Sequence, residues 1–167
     1  MKHNKKSESN LEKRRDNDTP LLITIAIDKD SWLRKFLDDF IELLSEKAHK
    51  IATVYKTSDI QKGDLVFFLG FQEIVPSEVL KLNKHNLVVH ESTLPKGKGW
   101  SPLSWQILQG KNEIPITLFE AVGKVDAGPI YIQNIMKFNG HELVDELRTI
   151  QGKATIQICA QFIEKYP

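Results

Sequence analysis

A histidine and an aspartate stand at the ends of two apolar stretches, where side chains from neighbouring strands can converge. His90 closes the apolar run 87–89, and Asp126 lies in a glycine-containing turn. A carboxylate near a histidine can hold the imidazole in one tautomer and make it more basic. The pair therefore fits proton transfer during acyl transfer to an amine. A plainer interpretation also fits, in which His90 ends a strand and Asp126 makes a turn before Gly128.

The motifs of several other chemistries are missing around His90. Ser92 follows closely, but the Gly-x-Ser-x-Gly elbow that would expose and activate a serine nucleophile is absent. No pair of histidines or cysteines has the spacing of zinc ligands. The segment 97–99 reads "GKG" without the glycine spacing of a phosphate loop, and no Gly-x-Gly-x-x-Gly follows the first strand.

The hydrophobic pattern predicts an α/β domain. Near-continuous apolar runs, typical of strands buried on both faces, lie at 21–27, 51–55, 64–70 and 86–90. Two further strands, joined by a hairpin-like connection, are predicted at 115–122 and 129–136. Helical spacing or turn signals predict helices at 32–48, 76–82, 101–110 with Ser101 as N-cap, and about 141–166 with a break at Gly152.

This alternation predicts a Rossmann-like, mainly parallel sheet flanked by helices in a single domain. Such sheets bind ligands beyond the carboxyl ends of their strands, which is where His90 lies. Residues 1–19 are polar and mixed in charge, which predicts a disordered tail before a domain of residues 20–167.

Composition and net charge limit the classes of partner that the protein is expected to bind. The 167 residues are 41% apolar, enough for one domain with a core, and the formal net charge is only +1. That balance gives no strong field for recruiting nucleic acid or a membrane surface. A single cysteine, Cys159, excludes an internal disulfide and fits a reducing, cytoplasmic setting. No apolar run is long enough to cross a membrane.

Taken together, two segments carry a family resemblance. "HESTLPKGKGWSPLSWQILQG" and "ITLFEAVGKVDAGPIY" resemble the folate-dependent formyltransferase family, with its His-x-Ser-x-Leu-Pro and Asp-x-Gly-x-Ile patterns. The resemblance covers roughly residues 21–136. It implies a Rossmann-like formyltransferase domain, 10-formyltetrahydrofolate as formyl donor, and an amine as acceptor. It also implies that His90 and Asp126 are catalytic.

The chain departs from that family at one catalytic position. The family has an asparagine two residues before the histidine, and this chain has Val88 there. Asn86 is about 13 Å from His90 at the usual strand rise, too far for a simple replacement. Loss of an oxyanion donor costs on the order of a hundred- to a thousandfold in turnover. Either another donor replaces it (a lysine of "KGKG", Gln106 or a backbone amide), or the enzyme is slow or specialised, or the domain has lost the reaction.

The loop after His90 supplies the candidates for substrate binding. Trp100 and Trp105 can wall an acceptor pocket or simply pack the loop onto the domain. Lys96 and Lys98 can meet the phosphates of an acceptor or form a solvated turn. The substrate-binding residues predicted here are Ser92, Lys96, Lys98, Trp100 and Gln106. No residue is assigned to binding of the folate.

The resemblance leaves three functions open. Family members that act on tRNA carry a second domain after this one, and the chain ends at Pro167. We therefore expect the acceptor to be a nucleotide-linked amino sugar of surface-polysaccharide biosynthesis, with no nucleic acid or membrane partner and a homodimer left open. The alternatives are hydrolysis of 10-formyltetrahydrofolate, or a folate- or sugar-binding domain without catalysis.

Overall fold

A computed structural model describes residues 19–166 and shows one mixed six-stranded sheet. The strands are β1 (Leu22–Ala26), β2 (Lys50–Val54), β3 (Gly63–Phe68), β4 (Asn83–His90), β5 (Glu113–Glu120) and β6 (Ile130–Lys137). Their order across the sheet is β2-β1-β3-β4-β5-β6. The first four strands in the chain are parallel, whereas β5 and β6 are antiparallel to their neighbours. The predicted α/β fold with a mainly parallel sheet is confirmed.

Within residues 19–166, four α-helices connect and cover the strands. They are α1 (Leu37–Ser45), α2 (Ser77–Leu80), α3 (Pro102–Leu108) and α4 (Val144–Lys165), with short 3-10 turns at Trp32–Phe36 and Thr57–Asp59. The first predicted helix is therefore a 3-10 turn followed by a shorter α-helix. Ser101 precedes α3 as predicted, but its φ of 51° is left-handed and its side chain caps nothing. Of the predicted tail, only Thr19 lies within the described residues.

The two faces of the sheet are covered unequally. The larger core lies on the face covered by α1 and α4, and includes Phe40, Phe67, Leu87 and Ile158. The smaller cluster on the other face contains Ala26, Ile60, Val66 and Phe68, with residues around α2 packed against it. Successive residues of β4 alternate between these faces, so Asn86, Val88 and His90 share the second one. Within residues 19–166, no helix is long and apolar enough to cross a membrane.

The prediction that Gly152 splits the last helix is wrong. Helix α4 runs unbroken from Val144 to Lys165, and Gly152 is buried within it. A Cβ placed on Gly152 would fall on the ring of Phe36, a buried residue of the 3-10 turn. The glycine therefore lets the helix approach this turn closely.

Gly152→Ala reverses the usual helix preference. Alanine in a helix interior is normally favoured over glycine by about 1 kcal/mol. Here we expect a lower free energy of unfolding by about 1–3 kcal/mol, because the buried ring must move. Urea unfolding of the variant beside Lys153→Ala, a change at the exposed neighbouring position, would measure it. A Gly152→Ala protein as stable as the wild type would contradict the close approach.

Candidate active site

The structure brings His90 and Asp126 together at the carboxyl end of β4. His90 is the last residue of β4, and Asp126 lies in the connection between β5 and β6. His90 Nε2 is 3.9 Å from Asp126 Oδ2, and the two side chains are 10% and 11% exposed. Asp126 adopts a left-handed φ of 50°. The carboxylate is thus presented to the imidazole by a turn and not by a strand.

The backbone of the glycine-rich loop contacts both side chains. The Gly97 carbonyl oxygen lies 2.9 Å from His90 Nε2, and the Gly99 N–H donates to Asp126 Oδ2 at 3.1 Å. Both glycines have a positive φ. Because a carbonyl oxygen only accepts hydrogen bonds, His90 Nε2 carries the hydrogen that bonds to Gly97 in this arrangement.

Val88, which stands at the position of the family's asparagine, also has apolar surroundings in the structure. Val88 shares a face of β4 with His90 and packs against the smaller cluster. Asn86 is 4% exposed, and its side-chain amide donates to the Leu80 carbonyl oxygen at 2.8 Å. Neither residue presents a donor to the space beside His90 and Asp126.

The predicted substrate-binding residues fall into two groups. Lys96, Lys98 and Trp100 are exposed on the loop, Trp100 by 75%. Gln106 instead lies on α3, and its side-chain nitrogen donates to the carbonyl oxygens of Glu91 and Pro102, at 2.7 and 3.1 Å. With both amide hydrogens committed to backbone, Gln106 holds the loop to the helix in this conformation.

Ser92 lies inside the turn that follows His90. It is 2% exposed, and its hydroxyl has no hydrogen-bond partner among the described residues. Its carbonyl oxygen accepts a hydrogen bond from the Thr117 hydroxyl at 2.6 Å. A Cβ on Gly97 would lie 2.8 Å from Ser92 Cβ, so the two ends of the turn are in close contact.

Sequence reasoning missed two side chains that hold this region, Gln133 and Gln151. Gln133 on β6 donates to Thr117 and to the Leu94 carbonyl oxygen. Gln151 on α4 donates to the Glu91 carboxylate at 2.6 Å and accepts from Arg148 at 2.9 Å. Gln133 and its neighbour Asn134 are the two polar amides in the otherwise apolar stretch 130–136, "IYIQNIM", which is the signal that the sequence offered for Gln133.

A second polar cluster lies on the opposite face of β4. His85 Nδ1 is 3.2 Å from Glu120 Oε2 and 3.0 Å from the Tyr131 hydroxyl, which itself donates to Glu120 at 2.8 Å. Burial, together with the neighbouring carboxylate, raises the pKa of Tyr131 above its usual range. The rings of Phe162 and Tyr166 pack edge-on against His85. This cluster joins α4 to the sheet and is separate from His90.

The described residues hold no group of three or more His, Cys, Asp or Glu side chains placed to bind a metal ion. The groups that meet beside the end of β4 are one imidazole, one carboxylate and the backbone groups of a glycine-rich loop.

Comparison with known proteins assigns the chain to a family. The formyl transferase family model matches residues 3–158. Methionyl-tRNA formyltransferase of Thermotoga neapolitana is 29% identical over 103 residues, which are 61% of this chain and 33% of that protein. The chain thus spans about a third of the length of the curated relatives it matches.

Solved structures share the fold. Methionyl-tRNA formyltransferase from Clostridium thermocellum superposes with a TM-score of 0.71 at 19% identity, covering 88% of this chain and 67% of that one. HypX from Aquifex aeolicus in complex with tetrahydrofolic acid gives a TM-score of 0.62 at 20% identity, covering 86% of this chain and 27% of that one. Since the family model matches nearly the whole sequence, this chain belongs to the formyl transferase family.

Proposed function

We propose that the protein transfers a formyl group from 10-formyltetrahydrofolate to an amine. The observation that carries the proposal is the pair His90–Asp126, with 3.9 Å between Nε2 and Oδ2 at the ligand-binding edge of a formyl transferase domain. The HypX structure with bound tetrahydrofolic acid supports a reduced folate as donor.

The two side chains provide complementary proton chemistry. Attack of the amine on the formyl carbon places negative charge on the formyl oxygen and positive charge on the amine nitrogen. The His90 N–H would donate to that oxygen, and Asp126 would take the amine proton. As the bond from carbon to the folate nitrogen breaks, the proton passes to that leaving nitrogen through His90. No net proton is gained or lost.

His90 would carry a larger share of oxyanion stabilisation in this site than the histidine does in a site that has the asparagine. Val88 has no donor, and Gln106 uses its amide hydrogens on Glu91 and Pro102. The His90 N–H donates to the Gly97 carbonyl oxygen in this conformation and would become available to the formyl oxygen when the substrate displaces that carbonyl. A turnover slower than that of a site with both donors is the expected consequence.

For the acceptor, we propose the amine of a nucleotide-linked amino sugar used in surface-polysaccharide biosynthesis. Trp100 and Trp105 are 75% and 63% exposed, and such rings suit stacking against a sugar or a base. Lys96 and Lys98 are also exposed near them in the chain and suit phosphates. A methionyl-tRNA acceptor is the second candidate, because the curated relatives carry that name.

Turnover of 10-formyltetrahydrofolate, followed by the absorbance of tetrahydrofolate, tests the proposal. The protein is assayed alone, with nucleotide-linked amino sugars, and with methionyl-tRNA. Turnover that requires an amino sugar supports the full proposal, and turnover that requires tRNA overturns the acceptor alone. Formate release without acceptor indicates a hydrolase. Folate binding without any turnover indicates a binding domain.

A further inference from the structure

A chain of hydrogen bonds runs from the edge strand β6 to the turn after His90. Gln133 Nε2 lies 3.0 Å from Thr117 Oγ1 and 3.4 Å from the Leu94 carbonyl oxygen. Thr117 Oγ1 in turn lies 2.6 Å from the Ser92 carbonyl oxygen. The strand register places these side chains side by side, because Gln133 pairs with Thr117 and Thr117 pairs with His90.

The direction of every hydrogen bond in this chain is fixed. Thr117 has one hydroxyl hydrogen, and it must go to Ser92, because a carbonyl oxygen cannot donate. The Thr117 oxygen is then an acceptor, as is the Leu94 carbonyl. Gln133 must therefore present its amide nitrogen, with one hydrogen for each of them. Thr117 is fully buried, so water cannot substitute on its side of the contact.

The turn held by Gln133 also holds His90. Ser92 N–H donates to the His90 carbonyl oxygen at 2.9 Å, which ties the start of the turn to the strand end. At its far end, Gly97 lies against the Ser92 side chain and its carbonyl oxygen contacts His90 Nε2. Displacement of Ser92 or Leu94 would therefore change the orientation of the imidazole.

We propose that Gln133 is a positioning residue for His90, acting through Thr117 and the turn 92–97. The inference rests on the proposed function for its catalytic consequence, but its structural part does not. The neighbouring amide, Asn134, offers the matched control. Its side chain donates to Gln161 on α4 at 3.0 Å, on the face away from the turn.

Gln133→Glu is the informative variant. It replaces the amide nitrogen, which donates to both Thr117 and Leu94, with a carboxylate oxygen. That oxygen would face the Leu94 carbonyl oxygen and the Thr117 hydroxyl oxygen, whose hydrogen already bonds to Ser92. We expect turnover to fall about ten- to a hundredfold with little change in the KM for folate, because the reacting groups and not the binding surface are misplaced. Asn134→Asp, with the same change of chemical group, is expected to retain turnover within about threefold of wild type. Lowering the pH should restore part of the loss in Gln133→Glu, since a protonated carboxyl can donate again.

An activity-independent measurement separates this inference from the proposed reaction. The ring ¹⁵N and ¹H resonances of His90, assigned with His90→Gln, report its tautomer and surroundings. We expect a hydrogen on Nε2 in the wild type, and shifted resonances in Gln133→Glu but not in Asn134→Asp. If the His90 resonances shift in Gln133→Glu but the wild-type protein shows no turnover, the positioning role stands and the proposed reaction is overturned. Unchanged His90 resonances in folded Gln133→Glu overturn the positioning role. If Gln133→Glu does not fold, the same measurement is made on Gln133→Met, which removes the donor without adding a charge.

Discussion

Replacement of His90 with alanine is expected to lower formyl transfer by about a hundred- to ten-thousandfold, the usual contribution of a positioned acid–base group. The loss should lie in kcat, because the imidazole acts on charge that develops only during the reaction. Among residues 19–166, no side chain other than His90 forms an ion pair or hydrogen bond with Asp126, which adds to the dependence on His90 in a site with Val88. Steady-state kinetics with 10-formyltetrahydrofolate and the active acceptor measure the effect.

Two glutamine variants distinguish proton transfer by His90 from hydrogen bonding and from a general loss of stability. His90→Gln keeps an N–H donor but cannot transfer a proton, so it should recover little of the lost turnover. His85→Gln changes a histidine of the same strand on the opposite face, within the cluster of Glu120 and Tyr131. It should lower stability but leave kcat within a fewfold of wild type. Near-normal kcat in His90→Gln would falsify the proton-transfer role and leave only hydrogen bonding.

Gly128→Ala is expected to be the most damaging single methyl group in the connection between β5 and β6. A Cβ on Gly128 would fall on the backbone carbonyl oxygen of Glu120, and backbone cannot turn aside as a side chain can. Glu120 N–H donates to the Pro129 carbonyl oxygen at 2.9 Å, so this is where the two strands first pair. We expect the free energy of unfolding to fall by about 3 kcal/mol, at the upper end of overpacking effects.

The same change should also reduce activity, because Asp126 is two residues away in the displaced turn. Gly123→Ala is the matched control, since that position in the same connection has open space around a built Cβ. Chemical unfolding and kcat are measured for both variants. Equal stability of the two proteins would show that the turn accommodates a side chain at residue 128, contrary to the close approach seen here.

The strands and the convergence of the two candidate catalytic residues follow from local sequence signals. Strand β3 is apolar from Leu65 to Phe68, and an apolar run of this kind between turn residues is typical of a buried strand in an α/β domain. His90 stands where such a strand must end. The short connection between β5 and β6 implied that these two strands are antiparallel to each other. It carried no information on the antiparallel pairing of β5 with β4.

Contacts between distant segments could not be predicted in this way. Gly152 reads as a helix breaker until Phe36 is seen against it, because the reason for the glycine lies more than a hundred residues upstream. Gln106 reads as a free amide until its two carbonyl partners are known. Gln133 depends on the register of two strand pairs, and no pattern of residue types in one segment encodes that register.

The glycine-rich loop has a consequence for ligand affinity. With the Gly97 carbonyl on His90 and the Gly99 N–H on Asp126, the two candidate catalytic side chains already have hydrogen-bond partners. A substrate that displaces these backbone groups exchanges one set of hydrogen bonds for another and gains only the difference between them. Hydrogen bonds to the reacting atoms would thus orient the substrate but would add little to the binding free energy. Most of the affinity would have to come from the parts of the donor and acceptor that never react, so a truncated acceptor carrying the same amine should bind poorly.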